Sequence, residues 1–124
     1  MTTQIKRIYE PPSPTDGYRV LVDRLWPRGI SREKAALDEW AKEVAPTPEL
    51  REWFDHRPER FAEFRRQYKQ QLTGNSAWKA LRIQLKRRRV TLLYGAKDPK
   101  INHAVVLMAL LNQKPRTAKA VAKK

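Results

Sequence analysis

Residues 18–29 read YRVLVDRLWPRG, and their reading decides the fold. Val20, Leu21 and Val22 form an apolar run with no polar alternation. Such a strand is buried on both faces, as in a parallel sheet covered by helices. A second strand of this kind is RVTLLYG, at 89–95, and helical segments fill the chain between them. Two buried strands joined by a long helical crossover predict an α/β fold. The expected form is a small, mostly parallel sheet of about three strands flanked by helices, with a multi-helix excursion between the two central strands and a right-handed crossover. The third strand is QIKRIYE, 4–10, near an edge.

The helices follow from caps and stripes. Ser31 caps a segment through Val44 whose Leu37, Trp40, Ala41 and Val44 share one helical face. Thr47 and Pro48 open a second helix, with Leu50, Trp53 and Phe54 as its apolar members. Pro58 opens a third, in which Phe61, Phe64, Tyr68 and Leu72 are in register until Gly74 stops it. Asn75 or Ser76 caps a fourth, which buries Trp78, Leu81 and Leu85. Asp98 and Pro99 read as the N-cap and first position of a last helix, apolar almost all round. One α/β domain over 1–113 and a basic, disordered tail over 114–124 are expected, since the tail has no aromatic residue to pack.

Charge is divided unevenly along the 124 residues. Residues 1–63 hold 11 Lys/Arg and 12 Asp/Glu, whereas residues 64–124 hold 16 Lys/Arg and one acid, Asp98. The net charge of +14 therefore sits in the second half, which points to an anionic partner there. No cysteine is present, which excludes disulfides, thiolate catalysis and thiolate metal sites. With two histidines, no metal or cofactor is expected. No apolar run approaches the ~20 residues that span a bilayer, and MTTQIKRIYE lacks an apolar signal region. A cytoplasmic protein without a membrane partner is the expectation. Walker and dinucleotide fingerprints are absent.

GYRVLVDRLWPRGISREKAALDEW, the WF, H and PERF positions leading into EFRRQY, and VTLLYGAKDP followed by NHAVVL together resemble the bacterial domain of unknown function 488 family, YeaO-like branch. The resemblance covers residues 4 to about 112. It implies a small α/β domain and supplies no function. The family pattern maps onto Asp23, Arg24, Trp26, Pro27, Arg28 and Gly29, then Tyr94, Asp98, Asn102 and His103, and this chain departs from it at Ile101.

Ligands of open parallel sheets bind beyond the carboxyl ends of the strands. DRLWPRG leaves one such end and GAKDPKINH the other, so the two loops are expected to share one pocket. Asp23, Asp98 and His103 are the candidate catalytic groups, and Arg24, Trp26, Arg28, Lys97 and Asn102 the candidate ligand contacts. A carboxylate at a buried strand end needs a partner. Asp23 is read either as locked to an arginine or as part of an anion cradle with a guanidinium free to bind phosphate or carboxylate. Trp26 is read as packing its loop against the core, Asp98 as a helix cap, and His103 as a hydrogen-bonded structural residue or an acid/base. His56 is a cap or surface residue.

KALRIQLKRRR, 79–89, places Lys79, Arg82, Lys86 and Arg89 at three- or four-residue steps opposite the apolar stripe. Three functions stay open on these grounds. One is a small anion-binding or enzymatic domain for a phosphorylated or nucleotide-like ligand at the strand ends. The second is a nucleic-acid-associated module using 79–89 and the tail. The third is a structural or regulatory interaction protein. Oligomeric state is open.

Overall fold

A computed structural model describes residues 3–112. The tail expected over 114–124 lies outside them. Four parallel strands, β1 (Thr3–Arg7), β2 (Tyr18–Leu21), β3 (Glu39–Trp40) and β4 (Val90–Tyr94), form one sheet in the order β1-β4-β2-β3. The helices are α1 (Arg32–Ala35), α2 (Pro48–Phe54), α3 (Phe61–Leu72), α4 (Ser76–Arg87) and α5 (His103–Asn112).

The strands the apolar runs predict, β2 and β4, are the two central ones, and Val20, Leu21, Val22, Leu92 and Leu93 are fully buried. Alternate residues feed two layers. Val20, Val22, Leu92 and Tyr94 join the larger core, with Leu50 and Phe54 of α2, Phe64, Tyr68 and Leu72 of α3, Trp78, Leu81 and Leu85 of α4, and Ala104, Val106 and Leu107 of α5. Leu21 and Leu93 meet Ile8 and Ala35 on the other face, against Trp26, Leu37 and Trp40. Trp53, an apolar member of α2, is exposed beside Arg60.

The local start signals hold. Ser31, Thr47 and Asn75 each accept a backbone N–H three residues on, at Lys34, Leu50 and Trp78.

Two expectations fail. The helix from Ser31 does not continue to Val44: Ala36 turns left-handed at φ 50° and ends α1 after one turn. Glu39 and Trp40 become a strand, which brings the sheet from about three strands to four. The cause is Arg19 on β2. Its guanidinium donates to the carbonyls of Ala35 and Ala36, at 2.8 and 3.0 Å. Its backbone accepts from the Asp38 N–H and donates to the Asp38 carboxylate. The unpaired edge of β2 outweighs a helical stripe that has no further cap.

The last helix also starts late, at His103 rather than Pro99. Asp98 Oδ1 accepts the N–H groups of Lys100 and Ile101, closing a separate turn. The helix itself is capped by Asn102, whose Oδ1 accepts the Val105 N–H at 2.9 Å.

Candidate functional site

Leu21 and Leu93 stand opposite each other, so β2 and β4 end together and their loops meet. Asp23 lies two residues beyond the end of β2. Its Oδ2 accepts the Gly95 N–H at 2.9 Å. A Cβ at residue 95 would stand 3.0 Å from that oxygen and 3.4 Å from Pro27 Cβ, so glycine keeps the approach open. His103, the first residue of α5, closes the group. Its Nε2 lies 3.1 Å from the Val22 carbonyl oxygen and 3.0 Å from Asp23 Oδ1. Two facing oxygens require that Nε2 carry the proton. The N–H follows the carbonyl, and buried Asp23 Oδ1 is left without an aligned hydrogen bond among the described residues.

Asp23 therefore pairs with an imidazole and not, as one sequence reading has it, with an arginine. Arg24 is drawn the other way, donating to the carbonyls of Ala45 and Pro46 at 3.0 and 3.3 Å. Arg28 is exposed, and its carbonyl accepts the Tyr9 hydroxyl at 2.6 Å. Arg24 satisfies orphan carbonyls of the excursion, and the guanidinium held at the end of β4 is that of Arg7, which donates to the Ala96 and Gly95 carbonyls at 2.9 and 3.3 Å. Trp26 packs edge-on against Trp40, ring centres 5.3 Å apart, and its indole donates to Ile30. The Trp40 indole in turn donates to the Asp23 carbonyl at 2.7 Å.

Lys97 and Asp98 are exposed, whereas Asn102 is buried and spends both ends of its amide on the turn and the helix. His56 is at the surface with φ 54°.

Tyr68 stands behind His103, ring to ring at 6.4 Å, and donates its hydroxyl to Val44. Burial, and then the charge of Asp23, push this phenol well above the usual tyrosine range, against a smaller pull from Arg24. It stays a donor. Sequence reading assigns Tyr68 to the core by its spacing, and nothing local signals its place behind the pair.

A second polar cluster escapes sequence reading. Asp16 is almost fully buried and accepts from Lys6, Arg19, Gln4 and the Ser13 N–H. Its backbone carbonyl accepts from buried Thr91. Burial alone would raise the Asp16 carboxyl, but Lys6, Ser13 and Arg19 outweigh it and hold the group below its ordinary value. Ser13-x-x-Asp16 is a capping-box pattern, and Arg19 is a charge inside a buried strand. Together those signals could have found the cluster. Among the described residues, no three His, Asp or Glu side chains converge on a metal-sized space, and no helix is long and apolar enough to cross a membrane.

The basic segment lies elsewhere, on α4 and the turn into β4. Trp78, Leu81 and Leu85 face the core, and Lys79, Arg82, Lys86, Arg87, Arg88 and Arg89 are exposed. Among the described residues, the lysines and arginines with a carboxylate within 4.0 Å are Lys6, Arg19, Arg57 and Arg66. The cations of 79–89 have none.

Two bacterial relatives share most of their length with this chain. The uncharacterized protein YeaO of Escherichia coli (strain K12) is 48% identical over 108 residues, which cover 86% of this chain and 94% of the relative. The uncharacterized protein Rv3073c of Mycobacterium tuberculosis (strain ATCC 25618 / H37Rv) is 44% identical over 109 residues, covering 88% and 92%. No solved structure matches the chain. The family model DUF488-N3i, described as the inactive DUF488-N3 subclade, matches residues 2–124, and the chain belongs to that family.

Proposed function

We propose that this domain binds nucleic acid without acting on it chemically. The observation that carries the reading is the outer face of α4, with its continuation to Arg89. It presents Lys79, Arg82, Lys86, Arg87, Arg88 and Arg89, all exposed and none paired with a carboxylate among the described residues. Lys79 to Lys86 spans about 10 Å of helix, the rise of about three nucleotides along one strand. Unpaired cations at that spacing release counterions when they meet phosphates. The family description as an inactive subclade supports a binding role over a catalytic one. So does the strand-end cluster, where Arg24, Asn102 and Asp98 are spent on backbone groups.

The test is fluorescence anisotropy of a labelled oligonucleotide against salt concentration. Binding should weaken steeply with salt. Replacing Lys79, Arg82 and Lys86 by alanine together should flatten the log–log slope, by about 0.7 on a single strand or about 0.9 on a duplex for each phosphate that the protein no longer neutralises. Binding that ignores both salt and the substitutions would refute the reading.

A small ligand that offers a hydrogen-bond donor at the strand ends is the second reading, favoured by the Asp23 Oδ1 beside His103, which has no hydrogen bond among the described residues. A hydroxyl or N–H of the ligand would satisfy that oxygen. Thermal-shift screening of phosphometabolites and nucleotides tests it. A selective shift lost in His103→Ala supports this reading, and a flat panel removes it.

A further inference from the structure

α4 ends at Arg87, and Arg88 and Arg89 lead into β4. At this end of the sheet, opposite to the Asp23–His103 pair, lies an open recess of about 400 Å³ lined by Gly17, Tyr18, Asp38, Arg88 and Arg89. Tyr18 supplies a half-buried ring there, fixed in place because its hydroxyl donates to Glu39 at 2.9 Å. The Arg88 guanidinium lies over that ring, 4.6 Å from its centre. Arg88 itself is exposed and has no carboxylate within 4.0 Å among the described residues. Asp38 stands on the rim. Its Oδ2 accepts the Arg19 N–H at 2.9 Å, and its Oδ1 has no hydrogen bond among the described residues.

A ring, a guanidinium stacked on it and a free carboxylate oxygen are what an unpaired base needs. The base stacks on the outer plane of the guanidinium, and one of its N–H groups donates to the carboxylate. The cations that would hold phosphates lie just outside the recess, on α4. A duplex keeps its bases stacked on one another and cannot fill such a recess. We propose that the recess holds a base of a single-stranded nucleic acid, stacked on Arg88 over Tyr18, while the strand's phosphates follow Lys86 and Arg82 along α4. The proposal rests on the nucleic-acid reading of that helix and adds to it a preference for unpaired strands.

The test uses the full chain and four labelled or competing probes at low salt: a 12-nucleotide single strand in DNA and RNA forms, an abasic strand of equal length, a duplex with the same number of phosphates, and a nucleoside monophosphate. The single strand should bind about tenfold tighter than the abasic strand, the effect of one stacked base. The monophosphate should compete poorly, because it leaves α4 unused. Arg88→Lys keeps the charge and removes the planar stacking surface. It should abolish the preference, so that base-bearing and abasic strands bind the variant equally. Tyr18→Leu should do the same in a variant confirmed folded by its melting curve. Equal affinity for base-bearing and abasic strands overturns the recess proposal and leaves the nucleic-acid reading standing. So do tighter duplex binding, an equally effective monophosphate, and an Arg88→Lys variant that keeps the preference. Absence of binding to every strand overturns both.

Discussion

His103 Nε2 lies 3.0 Å from Asp23 Oδ1, so the first residue of α5 is tied to the end of β2 across the loop that follows β4. The ends of β2 and β4 and the start of α5 meet there, because Asp23 also accepts the Gly95 N–H. Asp23→Ala leaves the Gly95 N–H without its acceptor, while the His103 N–H keeps the Val22 carbonyl. It should cost about 2–3 kcal/mol, read as the midpoint shift in urea at unchanged slope. Asp23→Asn keeps an acceptor for Gly95 and should cost less than half as much. Equal losses would mean that the carboxylate charge, and not the hydrogen bond, holds the loops.

The cap of α5 separates two residues that look equally suited to it. Asn102 accepts the Val105 N–H and donates to the Asp98 carbonyl, and it is buried. Asp98 closes an exposed turn before the helix. Asn102→Ala should therefore cost about 1–2 kcal/mol, while Asp98→Ala should cost roughly 0.5 kcal/mol or less, as befits an exposed turn. Thermal melts of both variants decide it, and a larger loss at Asp98 would return the cap to the position its Asp-Pro pair suggests.

That contrast shows what local sequence carries. The two central strands, the caps at Ser31, Thr47 and Asn75 and the stripes of α3 and α4 were legible because each depends on neighbours within a turn or two. The meeting of the two strand-end loops was legible from the parallel order of the sheet. The partner of Asp23 was not. It depends on which side chain α5 delivers to the end of β2, and the whole helical excursion and β4 lie between Asp23 and His103 in the chain. The short α1 was hidden for the same reason: Leu37, Trp40, Ala41 and Val44 fit a helix perfectly well. Only the demand of Arg19 for the carbonyls of Ala35 and Ala36 breaks it.

Asp16 should set the acid limit of the fold. Its carboxyl is held below the ordinary value: burial opposes this, and Lys6, Ser13 and Arg19 together prevail. A carboxylate with a depressed folded-state pKa adds stability that is fully present above its unfolded value near 3.8 and is lost as pH falls through the folded value. The melting temperature should be flat in Asp16's contribution from pH 7 to about 5 and fall below about 4. Asp16→Asn should lower the plateau, because Lys6 and Arg19 lose their counter-charge in a buried place, and should make the acid decline shallower. A variant with an unchanged acid slope would show that other carboxylates set the limit.

Gly17 should be the least replaceable of the three positive-φ glycines among the described residues, and it lines the recess. Its φ is +68°, and a Cβ there would lie 2.4 Å from the carbonyl oxygen of Arg89. That carbonyl accepts the Tyr18 N–H at 2.9 Å, the bond that brings β2 level with β4. The clash is against backbone and cannot be relieved by turning a side chain. Gly29 and Gly74 also have positive φ, at +79° and +81°, but nothing stands within 4 Å of their Cβ positions. Gly29→Ala and Gly74→Ala meet only the conformational penalty, about 1–2 kcal/mol. Gly17→Ala adds displacement of the Arg89 backbone and should cost about 3 kcal/mol or more. The displacement also moves Arg88 off the Tyr18 ring, so a folded Gly17→Ala protein should lose any preference for base-bearing over abasic strands. Denaturation midpoints of the three alanine variants rank them directly. If Gly17→Ala is no worse than the other two, the close approach of the 14–17 turn to Arg89 does not hold the recess in shape.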